Sequence, residues 1–158
     1  MSTKRRILFL CTGNACRSQM AEAMLRHFGD ESFEAMSAGT HPAGFVHPLA
    51  TVCLGRMGID LADQTSKSWE EYKETPIDAV ITLCDSAEEE CPTWPTKTIR
   101  AHWSLPDPAY HLGEMEERIE FAMRVATRLR TKIERLVELD WSASPEDIER
   151  RLRFLGEI

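Results

Sequence analysis

The sequence predicts an α/β fold: a single domain with a doubly wound, four-stranded parallel sheet and helices on both faces. The first observation is that short apolar runs alternate with segments of helical periodicity, which indicates parallel strands joined by helices. The second is that a polar loop, Cys11–Ser18, directly follows the first apolar run. This loop therefore lies at the carboxyl end of a strand, where doubly wound sheets bind ligands.

The apolar runs place four strands, and glycines place the ends of the helices between them. Ile7–Leu10 is the apolar centre of the first strand, and Gly29 and Gly58 end the first two helices. The predicted strands are Arg5–Leu10, Phe33–Ala38, Asp78–Leu83 and Thr98–Trp103. The first two predicted helices are Gln19–Phe28 and Leu49–Met57.

A long helix, Glu114–Leu139, and a shorter tail helix are predicted after the last strand. The long helix carries apolar residues at alternating spacings of four and three, a stripe that suits either a coiled-coil dimer or docking on the sheet. The fold class favours docking. Ser144 is a good N-cap and Pro145 suits the first position of the tail helix. We expect residues 1–140 to form the domain, and residues 141–158 to form a helical extension packed on it.

The composition argues against two classes of partner. The net charge is −7, with 19 Lys and Arg against 26 Asp and Glu, which disfavours nucleic acid. No apolar run approaches the ~20 residues that span a membrane, so we expect a cytoplasmic protein without a membrane partner. The five cysteines are expected to be thiols, metal ligands or catalytic groups rather than structural disulfides.

The polar loop combines a nucleophile with an anion site. Five residues separate Cys11 from Arg17, enough for successive backbone N–H groups to point at one centre beside a helix N-terminus. Gly13 and Asn14 tolerate the positive φ that such a turn requires. This field is expected to lower the pKa of Cys11 below its usual value of about 8.5. Ser18 is expected either to cap the helix or to donate its hydroxyl to the Cys11 sulfur.

A purely structural interpretation of the loop is also available. In that interpretation Cys11 is a buried cysteine that ends a strand, and Arg17 is an ordinary surface residue. A cysteine and an arginine at this spacing occur by chance in many chains. The glycine and asparagine between them, and the helix that follows, favour the functional interpretation.

Residues Cys11–Glu22 resemble the phosphate-binding loop of the low-molecular-weight protein tyrosine phosphatase superfamily. Their sequence is Cys-Thr-Gly-Asn-Ala-Cys-Arg-Ser-Gln-Met-Ala-Glu. Within that superfamily the chain is most similar to the thioredoxin-coupled arsenate reductases. The resemblance covers most of residues 5–140 and includes these further segments: Ser37–Gly39, Thr82–Cys84, Cys91-Pro92, His102-Trp103 and Asp107–Ala109.

The resemblance implies a relay of thiols. Cys11 attacks arsenate, Asp107 protonates the departing oxygen, and Cys84 then displaces arsenite. Cys91 resolves the resulting disulfide, and thioredoxin or a related thiol donor reduces the Cys84–Cys91 bridge. No cofactor and no metal are implied. Phosphate and sulfate are expected to compete with arsenate for the oxyanion-binding residues, which are Thr12, Gly13, Asn14, Ala15, Cys16, Arg17 and Ser18.

Two other functions compete with arsenate reduction. A low-molecular-weight phosphatase that hydrolyses phosphate monoesters needs only Cys11, Arg17 and Asp107. The second pair of cysteines distinguishes the reductase from this hydrolase. A non-catalytic phosphate-sensing module is the third possibility, and it is favoured only if Cys11 is unreactive.

Cys84 and Cys91 also have structural interpretations. They suit a buried strand cysteine and an incidental thiol, or a zinc pair, although no paired ligands accompany them. If a helix begins at Ser86, the two cysteines are ~10.5 Å apart along its axis at 1.5 Å per residue. A disulfide needs Cα atoms within ~7 Å. A bridge between them therefore requires this segment to unwind.

Two cysteines and four histidines complete the candidates. Cys16 either protects Cys11 by transient pairing or supports the packing of the loop, and Cys53 is interpreted as a core residue. The histidines show no spacing typical of metal ligands and are interpreted as loop or packing residues: His41, His47, His102 and His111.

A second set of residues is expected to support the loop from below. Asn14, Ser18 and Ser37 are candidates for bracing it by side-chain hydrogen bonds. Some of the related reductases hold a potassium ion here with an aspartate after a Thr-Ser pair, whereas in this chain Lys67 follows that pair. An ammonium group beside Asn14, Glu22 and Ser37 can replace the ion, so a potassium requirement is not expected.

Overall fold

The computed structural model describes residues 4–94 and 97–158. Its four strands are β1 (Arg5–Cys11), β2 (Phe33–Gly39), β3 (Ala79–Thr82) and β4 (Ile99–His102). All four are parallel in the order β2-β1-β3-β4, which confirms the predicted fold class. The helices are α1 (Arg17–Phe28), α2 (Pro48–Arg56), α3 (Asp85–Glu89), α4 (Met115–Glu138) and α5 (Pro145–Leu155).

Strand β1 lies in the interior of the sheet and directs the loop that follows it. Ile7–Leu10 is completely buried because neighbouring strands flank β1 on both sides and helices cover the faces of the sheet. The chain runs from β1 to β2 on one side and later to β3 on the other, which creates a crevice at the carboxyl ends. This topology places two cysteines at the same edge of the sheet: Cys11 is the last residue of β1, and Cys84 follows the end of β3.

Helix α4 packs within the domain through its apolar stripe. Its buried residues are Ala122, Val125, Ala126, Leu129, Lys132, Ile133 and Leu136. The stripe contacts α1 and α2, so docking is confirmed, although its main contacts are helices and not the sheet itself. Met115, at the start of the stripe, is exposed. None of the helices in residues 4–94 and 97–158 is long and apolar enough to cross a membrane.

Three local features differ from the predictions. Helix α1 begins at Arg17, two residues before the predicted start, because the loop enters the helix directly through a Met20 N–H to Cys16 carbonyl hydrogen bond of 2.9 Å. Helix α3 begins at Asp85 rather than Ser86, with Cys84 at its N-cap. Two short 3-10 turns, Trp69–Tyr72 and Pro108–Tyr110, were not predicted, since such turns are too short to show apolar periodicity.

Helix α5 packs against β4, so the predicted packing of the tail is observed. The indole N–H of the buried Trp103 donates to the Leu152 carbonyl at 2.8 Å. Arg153 Nε donates to the Arg100 carbonyl at 3.2 Å. Lys132 of α4, which is buried, donates from Nζ to the Leu155 carbonyl at 2.6 Å. The division into residues 1–140 and 141–158 stays a prediction.

Candidate active site

The loop after β1 turns its carbonyl groups outward and its amide groups inward. The segment Gly39–Pro48 donates backbone N–H groups to these carbonyls, in the pairs Thr40 to Cys11 (3.1 Å), His41 to Thr12 (2.9 Å), Ala43 to Gly13 (2.8 Å) and His47 to Ala15 (2.8 Å). Because the N–H and C=O groups of a peptide point in opposite directions, the loop amides converge on its interior. The backbone N–H groups of Asn14 and Ser18 face the Cys11 sulfur and favour its thiolate. The loop is therefore built to hold an anion.

Asn14 holds the shape of the loop. Its φ of 48° is in the left-handed region, which asparagine tolerates better than most residues. Its Nδ2 donates to Ser18 Oγ at 2.7 Å and to Ser37 Oγ at 3.0 Å, and its Oδ1 accepts the Lys67 backbone N–H at 2.9 Å. Gly13, in contrast, does not have a positive φ, so of the two residues that tolerate this conformation Asn14 is the one that adopts it.

The Cys11 sulfur lies 2.9 Å from Ser18 Oγ. Of the two roles considered for Ser18, the structure shows this contact, since the N-cap of α1 is Cys16. Burial raises the pKa of the Cys11 thiol, and the Ser18 hydroxyl, the Arg17 guanidinium and the amides of Ser18 and Asn14 lower it by smaller amounts. The expected lowering of the pKa is therefore wrong, because Cys11 is only 2% exposed and desolvation outweighs the field of the loop.

Arg17 and Asp107 face the same cavity as Cys11. Arg17 NH1 donates to the Leu105 carbonyl at 2.9 Å, and its NH2 lies 3.2 Å from Asp107 Oδ2. The other carboxylate oxygen of Asp107 accepts the Ala109 N–H at 3.0 Å. Both side chains are thus held in fixed orientations at the mouth of the loop.

The cavity has a volume of about 670 Å³ and is lined by Cys11, Arg17, Cys84 and Asp107, among others. Cys84 reaches it because Thr12 Oγ1 lies 3.2 Å from the Cys84 sulfur. Cys91 does not line this cavity. Its half-buried thiol faces the Pro92 carbonyl at 3.7 Å, and burial raises its pKa. The structure thus brings together four of the five predicted catalytic residues and leaves Cys91 outside.

The other two cysteines are poor candidates for nucleophiles. Burial and, to a smaller extent, the nearby Asp107 carboxylate raise the pKa of Cys16 to about 12. A thiol with this pKa favours the packing interpretation of Cys16. Cys53 is completely buried in α2, as expected of a core residue.

The ammonium group of Lys67 lies under the loop. Its Nζ is 3.6 Å from Glu22 Oε1 and donates to the Thr65 carbonyl at 2.8 Å. The same Glu22 oxygen accepts the Ser37 hydroxyl at 2.6 Å. The cation therefore sits beside Glu22, whereas Ser37 contacts the same carboxylate and Asn14 contacts the Lys67 backbone rather than its ammonium. Within residues 4–94 and 97–158, no cluster of three or more His, Cys, Asp or Glu side chains is arranged to bind a metal.

Some supporting residues were missed in the sequence. Gln19 is completely buried and donates from Nε2 to the carbonyls of Asn14 and Thr65, both at 2.9 Å. Ser66 donates to the Gly13 carbonyl at 3.0 Å. Gln19 lies within the motif that resembles the family. A polar side chain on a helix face that is expected to be buried was the signal that it supports the loop.

The four histidines have more specific contacts than the sequence suggested. His47 caps α2 by accepting the Leu49 N–H at 3.1 Å, and His111 stacks on Phe121. His41 and His47 also line the cavity. The interpretation of His102 as a packing residue is wrong, since its ring binds polar groups on both sides.

The sequence matches a known family. The family model described as low molecular weight phosphotyrosine protein phosphatase matches residues 6–143. The arsenate reductase of Shouchella clausii is 39% identical over 136 residues, which are 86% of this chain and 97% of that protein.

Solved structures of arsenate reductases also resemble this chain. A structure described as an arsenate reductase in the phosphate-binding state superposes with a TM-score of 0.73 and 30% identity, covering 85% of this chain and 97% of that one. A thioredoxin-dependent arsenate reductase of Corynebacterium glutamicum has a TM-score of 0.57 and 32% identity, covering 84% of this chain and 63% of that one. The match to the family model ends at residue 143, so α5 lies beyond it.

Proposed function

Because this chain belongs to the low molecular weight phosphotyrosine protein phosphatase family, we propose that it uses the phosphate-type loop of that family to reduce arsenate to arsenite. The observation that carries the proposal is the position of Cys84. Its sulfur lies against Thr12 of the anion loop and lines the cavity that holds Cys11. A hydrolase has no use for a second thiol there, whereas a reductase needs one as an electron donor.

In the first step, arsenate binds to the loop amides and Arg17, and the Cys11 sulfur attacks arsenic. A bond forms between sulfur and arsenic as the bond from arsenic to a hydroxyl group of arsenate breaks. The proton that Cys11 loses passes to Asp107, which gives it to the departing hydroxyl, so the net products are the thiol–arsenic adduct and water.

In the second step, the Cys84 thiolate attacks the Cys11 sulfur. The sulfur–sulfur bond forms as the sulfur–arsenic bond breaks, and the electron pair of the broken bond stays on arsenic. Arsenic is thereby reduced from the pentavalent to the trivalent state and leaves as arsenite. The Cys91 thiolate then attacks Cys84, which releases Cys11 and leaves a Cys84–Cys91 disulfide.

In the last step, an external dithiol supplies the two electrons that restore the thiols. Thioredoxin or a related thiol protein is the proposed donor, supported by the similarity to the thioredoxin-dependent enzyme of Corynebacterium glutamicum. Cys91 lies outside the cavity on a half-buried surface. That position suits exchange with a protein donor, since it does not require the donor to enter the anion site.

The test separates the loop from the relay. Cys84→Ser and Cys91→Ser should each abolish arsenate turnover with thioredoxin and thioredoxin reductase, while aryl-phosphate hydrolysis continues. After one exposure to arsenate, Cys91→Ser should release one equivalent of arsenite and stall as a Cys11–Cys84 disulfide, and Cys84→Ser should release none. Cys53→Ala is the matched control, because Cys53 lies in the core of α2, and it should keep arsenate turnover.

Hydrolysis of phosphate monoesters is the second candidate function. It is favoured by the mouth of the cavity, where Phe45 and Tyr110 are exposed by 55% and 82% and can flank an aromatic leaving group. Retention of full arsenate turnover by both serine variants would reject the relay. Hydrolysis without any arsenate turnover by the unmodified protein would make the phosphatase the better assignment.

A further inference from the structure

A polar cluster, rather than apolar packing, holds α3 to the sheet. This helix lies between Cys84 and Cys91, and Ala87 is the buried residue among its five members. Its carboxylates reach side chains on and after β3 and β4. We name this set the His102 cluster, and it consists of Thr82, Asp85, Glu88, His102 and Ser104.

Two of the three carboxylates of α3, those of Asp85 and Glu88, have partners within this cluster. Asp85 Oδ1 lies 2.9 Å from His102 Nε2 and accepts the Ser104 hydroxyl at 3.1 Å. Glu88 Oε2 accepts the Thr82 hydroxyl and lies 3.6 Å from His102 Nδ1. His102 Nδ1 is also 2.7 Å from Thr82 Oγ1. His102 is therefore the one member that reaches both Asp85 and Glu88.

His102 contacts α3 through both of its ring nitrogens. Nε2 lies within hydrogen-bond distance of Asp85, and Nδ1 meets Thr82 Oγ1, whose hydroxyl donates to Glu88. His102 is thus linked to Asp85 directly and to Glu88 through Thr82, so removal of its ring removes both links.

These contacts require a folded α3. A Cys84–Cys91 disulfide needs Cα atoms within ~7 Å, whereas the five residues of α3 alone extend ~7.5 Å along the helix axis and the two cysteines lie beyond its two ends. Closing the bridge must unwind α3 and withdraw Asp85 and Glu88 from His102. We propose that His102 is a positioning residue that keeps α3 folded while Cys84 and Cys91 are thiols, and so opposes formation of the Cys84–Cys91 disulfide. This inference rests on the proposed relay.

The consequence is thermodynamic. In exchange with a small dithiol, Cys84 and Cys91 lose two electrons and two protons to the oxidised reagent, which becomes the reduced dithiol. His102→Ala removes contacts that exist only in the thiol form, so the equilibrium moves toward the protein disulfide. For the loss of partly exposed hydrogen bonds to carboxylates we expect a shift of about three- to tenfold. This corresponds to a reduction potential about 15 to 30 mV more negative.

The test uses the full chain equilibrated with mixtures of oxidised and reduced dithiothreitol. The Cys84–Cys91 pairing is identified by peptide mass mapping, and the thermal unfolding of both redox forms is measured. His102→Ala should shift the equilibrium as stated and should lower the melting temperature of the thiol form more than that of the disulfide form. His102→Gln, which keeps a donor toward Asp85, should lie between His102→Ala and the unmodified protein.

Glu149→Ala is the matched control. Glu149 of α5 accepts the Arg100 backbone N–H at 3.3 Å, so it supports the same strand as His102 without touching α3. Its removal should destabilise both redox forms alike and leave the equilibrium unchanged. If the unmodified protein forms no Cys84–Cys91 disulfide, the relay and this inference both fail. If the disulfide forms but His102→Ala leaves the equilibrium unchanged, the inference is overturned and the relay stands.

Discussion

At Cys11, two effects act on one thiol in opposite directions. The amides, the Ser18 hydroxyl and Arg17 stabilise a thiolate, whereas removal from water destabilises it more strongly. Burial therefore sets the direction in which the pKa of Cys11 is shifted, and the groups of the loop act against it.

This balance predicts the pH dependence of Cys11 alkylation. Only the thiolate reacts with iodoacetamide, so the rate at Cys11 should rise with an apparent pKa above the ordinary cysteine value. Ser18→Ala removes a hydrogen bond that lowers the pKa and should move the profile to still higher pH. Peptide mass mapping over a pH series measures both.

Ser86→Ala is the control for this prediction. Ser86 lines the same cavity but belongs to α3, and its removal should leave the Cys11 profile in place. An apparent pKa below the ordinary value would show that the loop field, and not burial, dominates at this thiol.

Residues whose partners are close in sequence could be predicted from their spacing, and distant partners such as Ser37 and Asp107 only where the resemblance supplied them. Cys11, Asn14, Arg17 and Ser18 belong to one loop, so their spacing alone describes the site. Gln19 bonds Thr65, which is 46 positions away, and a sequence contains no direct record of such a contact. The pKa of Cys11 was predicted in the wrong direction because the charges of the loop are visible in the sequence but its burial is not.

At the scale of elements, the end of β2 lies unusually close to the anion loop. A Cβ atom on Gly39 would lie 2.6 Å from the Thr12 carbonyl oxygen and 3.1 Å from Asn14 Cβ. Glycine is required here because the strand passes directly beneath the loop. The shape of the anion site therefore depends on an adjacent strand as well as on its own sequence.

Gly39→Ala should consequently lower stability and weaken anion binding together. The Thr12 and Asn14 atoms that the new Cβ would contact belong to the anion loop. We therefore expect a loss of about 1–3 kcal/mol in the free energy of unfolding and weaker binding of phosphate. Urea denaturation and calorimetric titration with phosphate measure the two effects.

Gly55→Ala provides the comparison on α2. A Cβ there meets nothing within 4 Å, and alanine favours a helix over glycine by about 1 kcal/mol. Gly55→Ala should therefore keep or raise stability and leave phosphate binding unchanged. Equal behaviour of the two variants would mean that Gly39 has no special relation to the loop.

The regular elements were predicted well because their patterns are local. The four strands were recognised from apolar runs, and α1, α2, α4 and α5 from periodicity and caps. The two 3-10 turns were missed because each is very short and begins at a single side-chain cap. Ser68 accepts the Glu70 N–H at the first turn, and Asp107 accepts the Ala109 N–H at the second. The α4 stripe contacts helices instead of the sheet. Which element lies against the stripe depends on the tertiary arrangement, and periodicity does not encode it.

At the scale of the whole molecule, α5 connects the end of the chain to β4, the strand that leads into the loop that carries Asp107. Leu152 is completely buried against the core, and its carbonyl receives the Trp103 indole N–H. Phe154 on the same helix is 58% exposed. The two residues offer a direct comparison of what α5 contributes to the stability of the domain.

Leu152→Ala should lower the free energy of unfolding of the entire domain by about 2–5 kcal/mol, as for other buried leucines. Phe154→Ala should change it by less than about 0.5 kcal/mol. Thermal unfolding followed by tryptophan fluorescence and by circular dichroism should give a single coincident transition for each variant. Separate transitions for α5 and for the rest of the chain would contradict this and would make the tail an independent unit.

The contact between α5 and β4 also bears on how copies of the protein meet. A strand at the border of a sheet normally offers free N–H and C=O groups on which another chain can form a further strand, and this is a common start of aggregation. Here the N–H of Arg100 lies 3.3 Å from the Glu149 carboxylate, and its carbonyl accepts from the Arg153 guanidinium. Side chains thus occupy the places that a neighbouring strand would take. Protection of this border depends on a helix beyond the residues that match the family model.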